Sequence, residues 1–229
     1  MKLIGQRQSR QGPENDMVKL FLSHYVTLFQ QDPELSLTVF LEPKIGISFP
    51  DIVLVYWDSS KLSNWTETRQ KLTIQDIKIL HHMAQKEKNL TSHIQKKLGF
   101  SEKEIRQSFT VLQDAGLMYW TDSYVSIKPL SEIFIVKDII AIEAKMKDWK
   151  SVIEQANLNK LFASQSYVLV PKINGSSNIL SETKRLQLGC LEYSTNRISV
   201  TKKAKRNNIP VSYNSWIINE AIGRENYGC

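Results

Sequence analysis

From Glu14 to Phe29 the apolar residues Met17, Val18, Leu20, Phe21, Leu22, Tyr25, Leu28 and Phe29 recur at helical spacing, and Asp32-Pro33 closes the stretch. The pattern predicts one amphipathic helix. The period then changes. Residues 35–42 and 45–49 alternate around Pro43-Lys44 as half-buried strands do, and residues 52–57 form an unbroken apolar run, as expected of a strand covered on both faces. Residues 58–69 are polar, rich in Ser, Thr and Asn, and read as a linker.

The next sixty or so residues carry their own punctuation. Thr73 caps a helix with Ile77, Leu80, His81 and Ala84 on one stripe, and Thr91 caps a short one with Ile94 and Leu98, ended by Gly99. The capping box Ser101-Glu102-Lys103-Glu104 opens a third helix with Ile105, Phe109 and Leu112 on one face, ended at Ala115-Gly116. Two short strands, 117–120 and 124–127, flank the turn Thr121-Asp122-Ser123. Helix, helix, helix, hairpin is the layout of a winged helix-turn-helix. After Pro129 the pattern predicts short apolar strands at 133–136 and 139–146, a helix over 148–162 and a buried strand at 166–171. A loop with Asn174-Gly175-Ser176-Ser177, a helix near 181–188, an alternating stretch 190–200 and a helix near 214–222 complete the chain. The order helix, three strands, helix, strand predicts an α/β core of residues 1–57 and 131–229, interrupted by a winged unit of residues 58–130.

Composition narrows the class. At 229 residues and 41% hydrophobic, the chain can bury a proper core. Its longest apolar run, at 52–57, is far short of the roughly 20 residues a membrane-spanning helix needs. The first thirteen residues carry Lys2, Arg7 and Arg10 and only Leu3-Ile4 as an apolar pair, so no signal peptide is expected. Cys190 and Cys229 are then expected as free thiols in a reducing cytoplasm. Thirty Lys and Arg against 23 Asp and Glu give a net charge of +7, which points to a polyanionic partner. No phosphate-cradling Gly-x-x-x-x-Gly-Lys loop is present, so no nucleotide cofactor is expected, and His24, His81, His82 and His93 show no metal-ligand spacing.

Glu143-Ala144-Lys145 ends the buried strand predicted at 139–146. Alternation puts Glu143 and Lys145 on one side and Ala144 on the other. Pro50-Asp51 stands where one strand hands over to the next. Two carboxylates with a strand carbonyl suit Mg²⁺, which prefers oxygen ligands and retains waters beside a phosphate. The plain alternatives are a turn residue at Asp51 and a surface ion pair at Glu143 and Lys145.

Pro50-Asp51 followed by Ile52-Val53-Leu54-Val55, with Glu143-Ala144-Lys145 behind an apolar strand, resembles the PD-(D/E)xK nuclease superfamily, the restriction endonuclease-like fold. The resemblance covers roughly residues 14–57 and 131–171. Asp51 and Glu143 lie 92 positions apart; removing the winged unit of about seventy leaves about twenty, as such a hairpin requires. Gln155-Ala156 resembles the helix Gln that several branches place against the active site, although Asn159 stands where some carry Tyr. Glu14 resembles an acidic residue that some members contribute on the first helix, and Glu42 is a further carboxylate in reach of the metal. The resemblance implies an αβββαβ core with an inserted winged helix and a DNA endonuclease dependent on Mg²⁺ or Mn²⁺. Asp51, Glu143, the Ala144 carbonyl and Glu14 would hold the metal, with Lys145 serving the attacking water and Gln155 a further catalytic-site residue. Duplex DNA and a second copy of the chain are the expected partners. On the third helix of the winged unit, Lys103, Arg106, Gln107 and Thr110 lie opposite the apolar stripe and are of the types that read bases in the major groove. Lys202, Lys203, Lys205 and Arg206 form the densest basic cluster and are candidate phosphate contacts. The competing expectations are a DNA-binding regulator or assembly subunit that no longer cuts, and a strand-cutting subunit of a transposition or repair machine.

Overall fold

The computed structural model describes residues 2–5, 12–29, 32–46, 49–85, 91–121, 125–173, 178–195 and 197–228. In chain order its elements are β1 (Lys2–Gly5), α1 (Pro13–Leu28), β2 (Ser36–Leu41), β3 (Ile52–Trp57), α2 (Glu67–Gln70), α3 (Ile74–Ala84), α4 (Thr91–Leu98), α5 (Glu102–Asp114) and β4 (Met118–Trp120). There follow β5 (Val125–Ile127), α6 (Leu130–Ile133), β6 (Val136–Ala144), α7 (Trp149–Asn159), β7 (Gln165–Pro171), α8 (Asn178–Arg185), β8 (Gly189–Ser194), β9 (Arg197–Lys202) and α9 (Tyr213–Asn226). The chain divides into two compact units, residues 1–57 with 137–210, and residues 58–136 with 211–229. Among the described residues no helix is long and apolar enough to cross a membrane.

The first unit is α/β. Its mixed sheet runs β1-β2-β3-β6-β7-β8-β9, with β2 antiparallel to β3, β6, β7 and β8 mutually parallel, and β9 antiparallel to β8. The solid apolar runs expected at 52–57 and 166–171 are its central strands. All six residues of β3 are buried, and helices pack on both faces of the sheet. On one face Met17 and Phe21 of α1 pack against Val39, Ile52, Leu54, Ile142 and Leu169. On the other, Val152, Ile153 and Ala156 of α7 pack with Ile179 of α8 against Val168, Val170 and Cys190. Helix, three strands, helix, strand is realised as α1, β2, β3, β6, α7, β7. Two segments differ from expectation. Residues 45–49 make one isolated bridge at Ile45 rather than a strand, with 47–48 outside the described residues, because Gly46 takes a left-handed φ of 62° and breaks the extended run. The edge strand β1, which pairs parallel with β2, has too short an apolar signature in Leu3-Ile4 to be predicted.

In the second unit α3, α4 and α5 precede the hairpin β4–β5, in the order expected, with residues 122–124 of its turn outside the described residues. The Thr73 and Ser101 capping boxes both form, and Gly99 and Gly116 take left-handed φ values of 75° and 71° just beyond α4 and α5. Residues 58–69 are not a linker. Asp58 accepts the Ser60 N–H at the start of a short 3-10 helix, Thr66 caps α2, and Arg69 is buried with its guanidinium 3.6 Å above the Trp65 ring. Arg69 also forks onto both carboxylate oxygens of the buried Glu220, at 3.0 and 2.8 Å. That pair, with Trp216 in the shared core and Asn219 Oδ1 accepting the N–H of Ile135 at 2.8 Å, draws α9 into this unit. The second unit therefore reaches past the expected 58–130 and includes the C-terminal helix. Residues 130–133 are helix α6 rather than the start of the strand expected at 133–136, because Pro129 opens a single turn whose Phe134 N–H donates back to Leu130.

Candidate active site

β3 and β6 are neighbours in the sheet, and their ends bring two acids together. Ile52, Leu54 and Tyr56 face α1, so alternation places Asp51, one residue before β3, on the opposite side. On β6, Ile140, Ile142 and Ala144 face α1, and Glu143 turns the other way, paired in register with Val168 of β7. The Ala144 N–H donates to Asp51 Oδ2 at 2.7 Å, which ties the head of one strand to the tail of the next. Asp51 is close enough to Glu143 for its charge to oppose ionisation of the Glu143 carboxyl.

Glu143 is 4% exposed. Burial, and then the negative charge of Asp51, push its carboxyl up to about 8, against the lowering effect of Asn159 and Lys145. Burial likewise pushes Asp51 up to about 6; the Ala144 N–H and Lys145 oppose the rise, while Glu14 and Glu42 add to it. Two carboxyls packed together away from water favour neutral forms, and a divalent cation between them would reverse that preference.

Asn159 is a site residue that the family resemblance passes over in favour of Gln155. Fully buried on α7, it donates from Nδ2 to Glu143 Oε1 at 2.7 Å, while Gln155, one turn earlier, is exposed. Glu14, in the first turn of α1, accepts the Met146 N–H at 3.3 Å, and its other oxygen lies 3.8 Å from Lys145 Nζ. It therefore orients the ammonium and the backbone that follows β6. Glu42 has a left-handed φ of 46° and donates its N–H to the Asp51 carbonyl at 2.9 Å, which fixes the turn into β3. Among the described residues no three His, Cys, Asp or Glu side chains are grouped as metal ligands. The Asp51 and Glu143 carboxyls are oxygen-only donors, the kind a hard divalent cation prefers, so the residues present fit Mg²⁺ or Mn²⁺.

The expected DNA contacts divide. On α5, Lys103, Arg106, Gln107 and Thr110 line an exposed groove with Glu102, which holds Arg106 through two hydrogen bonds of 2.9 and 2.7 Å. The basic cluster is split by its partners. Lys202 is half-buried and donates to the Leu188 carbonyl at 2.5 Å, and desolvation lowers its pKa. Arg206 lies 3.0 Å from the buried Asp138, whose carboxylate also accepts from Ser164 and Gln165. Lys203 and Lys205 are exposed. Cys190 is buried and free, whereas Cys229 and the 174–177 loop lie outside the described residues. No protein-family model, no curated protein and no solved structure matches this chain.

Proposed function

We propose that the protein is a divalent-metal-dependent DNA endonuclease of the PD-(D/E)xK type. The observation that carries the reading is the meeting of Asp51 and the buried Glu143 at adjacent strand ends, where the Ala144 N–H ties Asp51 to the end of β6 and both acids are held well above the ordinary carboxylate range. Asp51, Glu143 and the Ala144 carbonyl would hold Mg²⁺ or Mn²⁺, and the bound ion would supply charge stabilisation at the phosphate and acidify a water. The chain's own residues set the stage for that chemistry. The Ala144 N–H fixes one Asp51 oxygen, and Asn159 fixes one Glu143 oxygen. Glu14 steers Lys145, whose ammonium is one-third exposed and can donate to a phosphate oxygen or orient a nearby water. Glu14 acts here by positioning Lys145, and Asn159 rather than Gln155 is the helix amide on the acid pair. The α3–α4–α5–hairpin order supports a winged helix in the second unit, with the exposed face of α5 for duplex DNA.

The test is cleavage of plasmid and linear DNA in Mg²⁺ or Mn²⁺ against EDTA, for the wild type and for Asp51→Asn, Glu143→Gln and Lys145→Met. Each variant is expected to lose at least about a hundredfold in rate. Divalent cation should raise the thermal stability of the wild type and of Lys145→Met, but not that of Glu143→Gln. Full cutting by Glu143→Gln sinks the assignment.

A further inference from the structure

Beside Lys145 the first unit opens into a cleft of about 340 Å³. Its floor is apolar. Val170 and Ile179 belong to the core under α7 and α8, and the half-buried Trp149 and Ile173 pack on that core from the cleft side. Its rim is basic: Lys145, Lys147 and Lys172 face the single carboxylate of Asp148, one oxygen of which already accepts the Ser151 N–H at 3.2 Å. The volume lies in the ~300–1,000 Å³ range of small-ligand clefts. An aromatic and aliphatic floor calls for a flat apolar group, and three ammoniums call for an anion close to it. A nucleotide unit offers both, and Lys145 belongs to the cleft and to the acid pair at once, so a phosphate bound at this rim lies next to the carboxyls.

We infer that this cleft receives one unpaired base of the strand being cut, with an adjoining phosphate on its lysine rim. In a B-form duplex each base is stacked and paired and shows only its edge in a groove. A base enters a cleft only from a single strand or after it is turned out of the helix. The substrate is therefore DNA with unpaired nucleotides at the cut, such as a flap, a loop or a single strand beside duplex. The inference rests on the nuclease reading above and narrows its substrate.

Binding is measured by fluorescence anisotropy in EDTA, where cutting plays no part. Three labelled probes of about a dozen nucleotides are used, a size within the range of single-strand sites: oligo-dT, the same strand with abasic sugars, and a blunt duplex. Wild type is expected to hold oligo-dT about tenfold more tightly than the abasic strand, since stacking on an aromatic ring contributes on that scale. Trp149→Leu should erase that difference, and Lys172→Glu should weaken both single strands alike. Equal binding of thymine and abasic strands by the wild type overturns the inference, and so does tightest binding to blunt duplex that Trp149→Leu leaves unchanged. Cleavage in Mn²⁺ is scored separately. Base-dependent binding without cutting under any condition upholds the cleft and sinks the nuclease reading; cutting with no base dependence does the reverse.

Discussion

Glu143→Gln should leave stability nearly unchanged at pH 4.5 and raise it at pH 7, in EDTA. The folded Glu143 carboxyl holds its proton up to about pH 8, whereas the ordinary value in an unfolded chain is 4.5. Because the folded state binds the proton more tightly, the stability this group contributes is complete below about pH 4.5 and is lost as the pH climbs towards 8. At about 1.4 kcal/mol per pH unit, the loss between pH 4.5 and 7 is about 3 kcal/mol. That is a large share of the ~5–15 kcal/mol that holds a typical domain together. Glutamine keeps a carbonyl oxygen for the Asn159 amide and has no proton to lose, so the advantage of the variant over wild type should grow by that amount. For a chain of this size it corresponds to roughly 6–12 °C in Tm. The assay is thermal unfolding followed by circular dichroism at both pH values, wild type beside variant, so that titrating groups away from the acid pair cancel in the difference. Adding Mg²⁺ at pH 7 should shrink the gap, because the cation favours the ionised pair only in the wild type. A gap of the same size at pH 4.5 and pH 7 refutes the reasoning and makes the acid pair a structural hydrogen bond.

Three further outcomes follow from charged groups elsewhere in the chain. Arg69→Met strands the fully buried Glu220 carboxylate and should cost about 3–5 kcal/mol in urea unfolding of the second unit, most of which Arg69→Met with Glu220→Leu recovers. Neutralising Lys203 and Lys205 should leave Tm unchanged and flatten the salt dependence of DNA binding by about one unit of slope for each phosphate that is no longer neutralised. Lys202→Met should instead cost about 1 kcal/mol of stability with the same salt slope as wild type, since its ammonium is already bound to the Leu188 carbonyl.

The central strands were legible because their pattern is unambiguous: a run such as Ile52 to Trp57 has no stable place except a sheet covered on both faces. The acids were legible for a related reason. Alternation on β6 fixes the side of Glu143 without knowledge of the neighbouring strands, and Asp51 needs only the start of β3. Residues 58–69 were illegible because their composition is that of a solvated loop. What makes them structured is a partner 151 residues away, the Glu220 that meets Arg69, and no local pattern encodes that pairing. Charge counting failed in the same way at 202–206. Four cations within five residues are no longer one cluster once Leu188 and Asp138 have taken two of them.

Gln155 and Asn159 differ by phase. On α7 the buried positions are Val152, Ile153, Ala156 and Asn159, the i, i+1, i+4, i+7 stripe of a helix lying on a sheet, and Gln155 falls outside it. A family pattern that expects Gln at one position and an aromatic four residues later draws attention to the wrong member of the pair. Helical phase alone points to Asn159, because an amide inside an apolar stripe is costly to bury unless another polar group waits there. The polar group waiting is Glu143, 16 residues earlier on the strand beneath. Asn159 Oδ1 has no hydrogen-bond partner among the described residues, so the amide satisfies the acid more fully than the protein satisfies the amide. A buried polar group kept at that cost, at the one point where it touches a carboxyl of the acid pair, is placed for Glu143 rather than for the stability of α7.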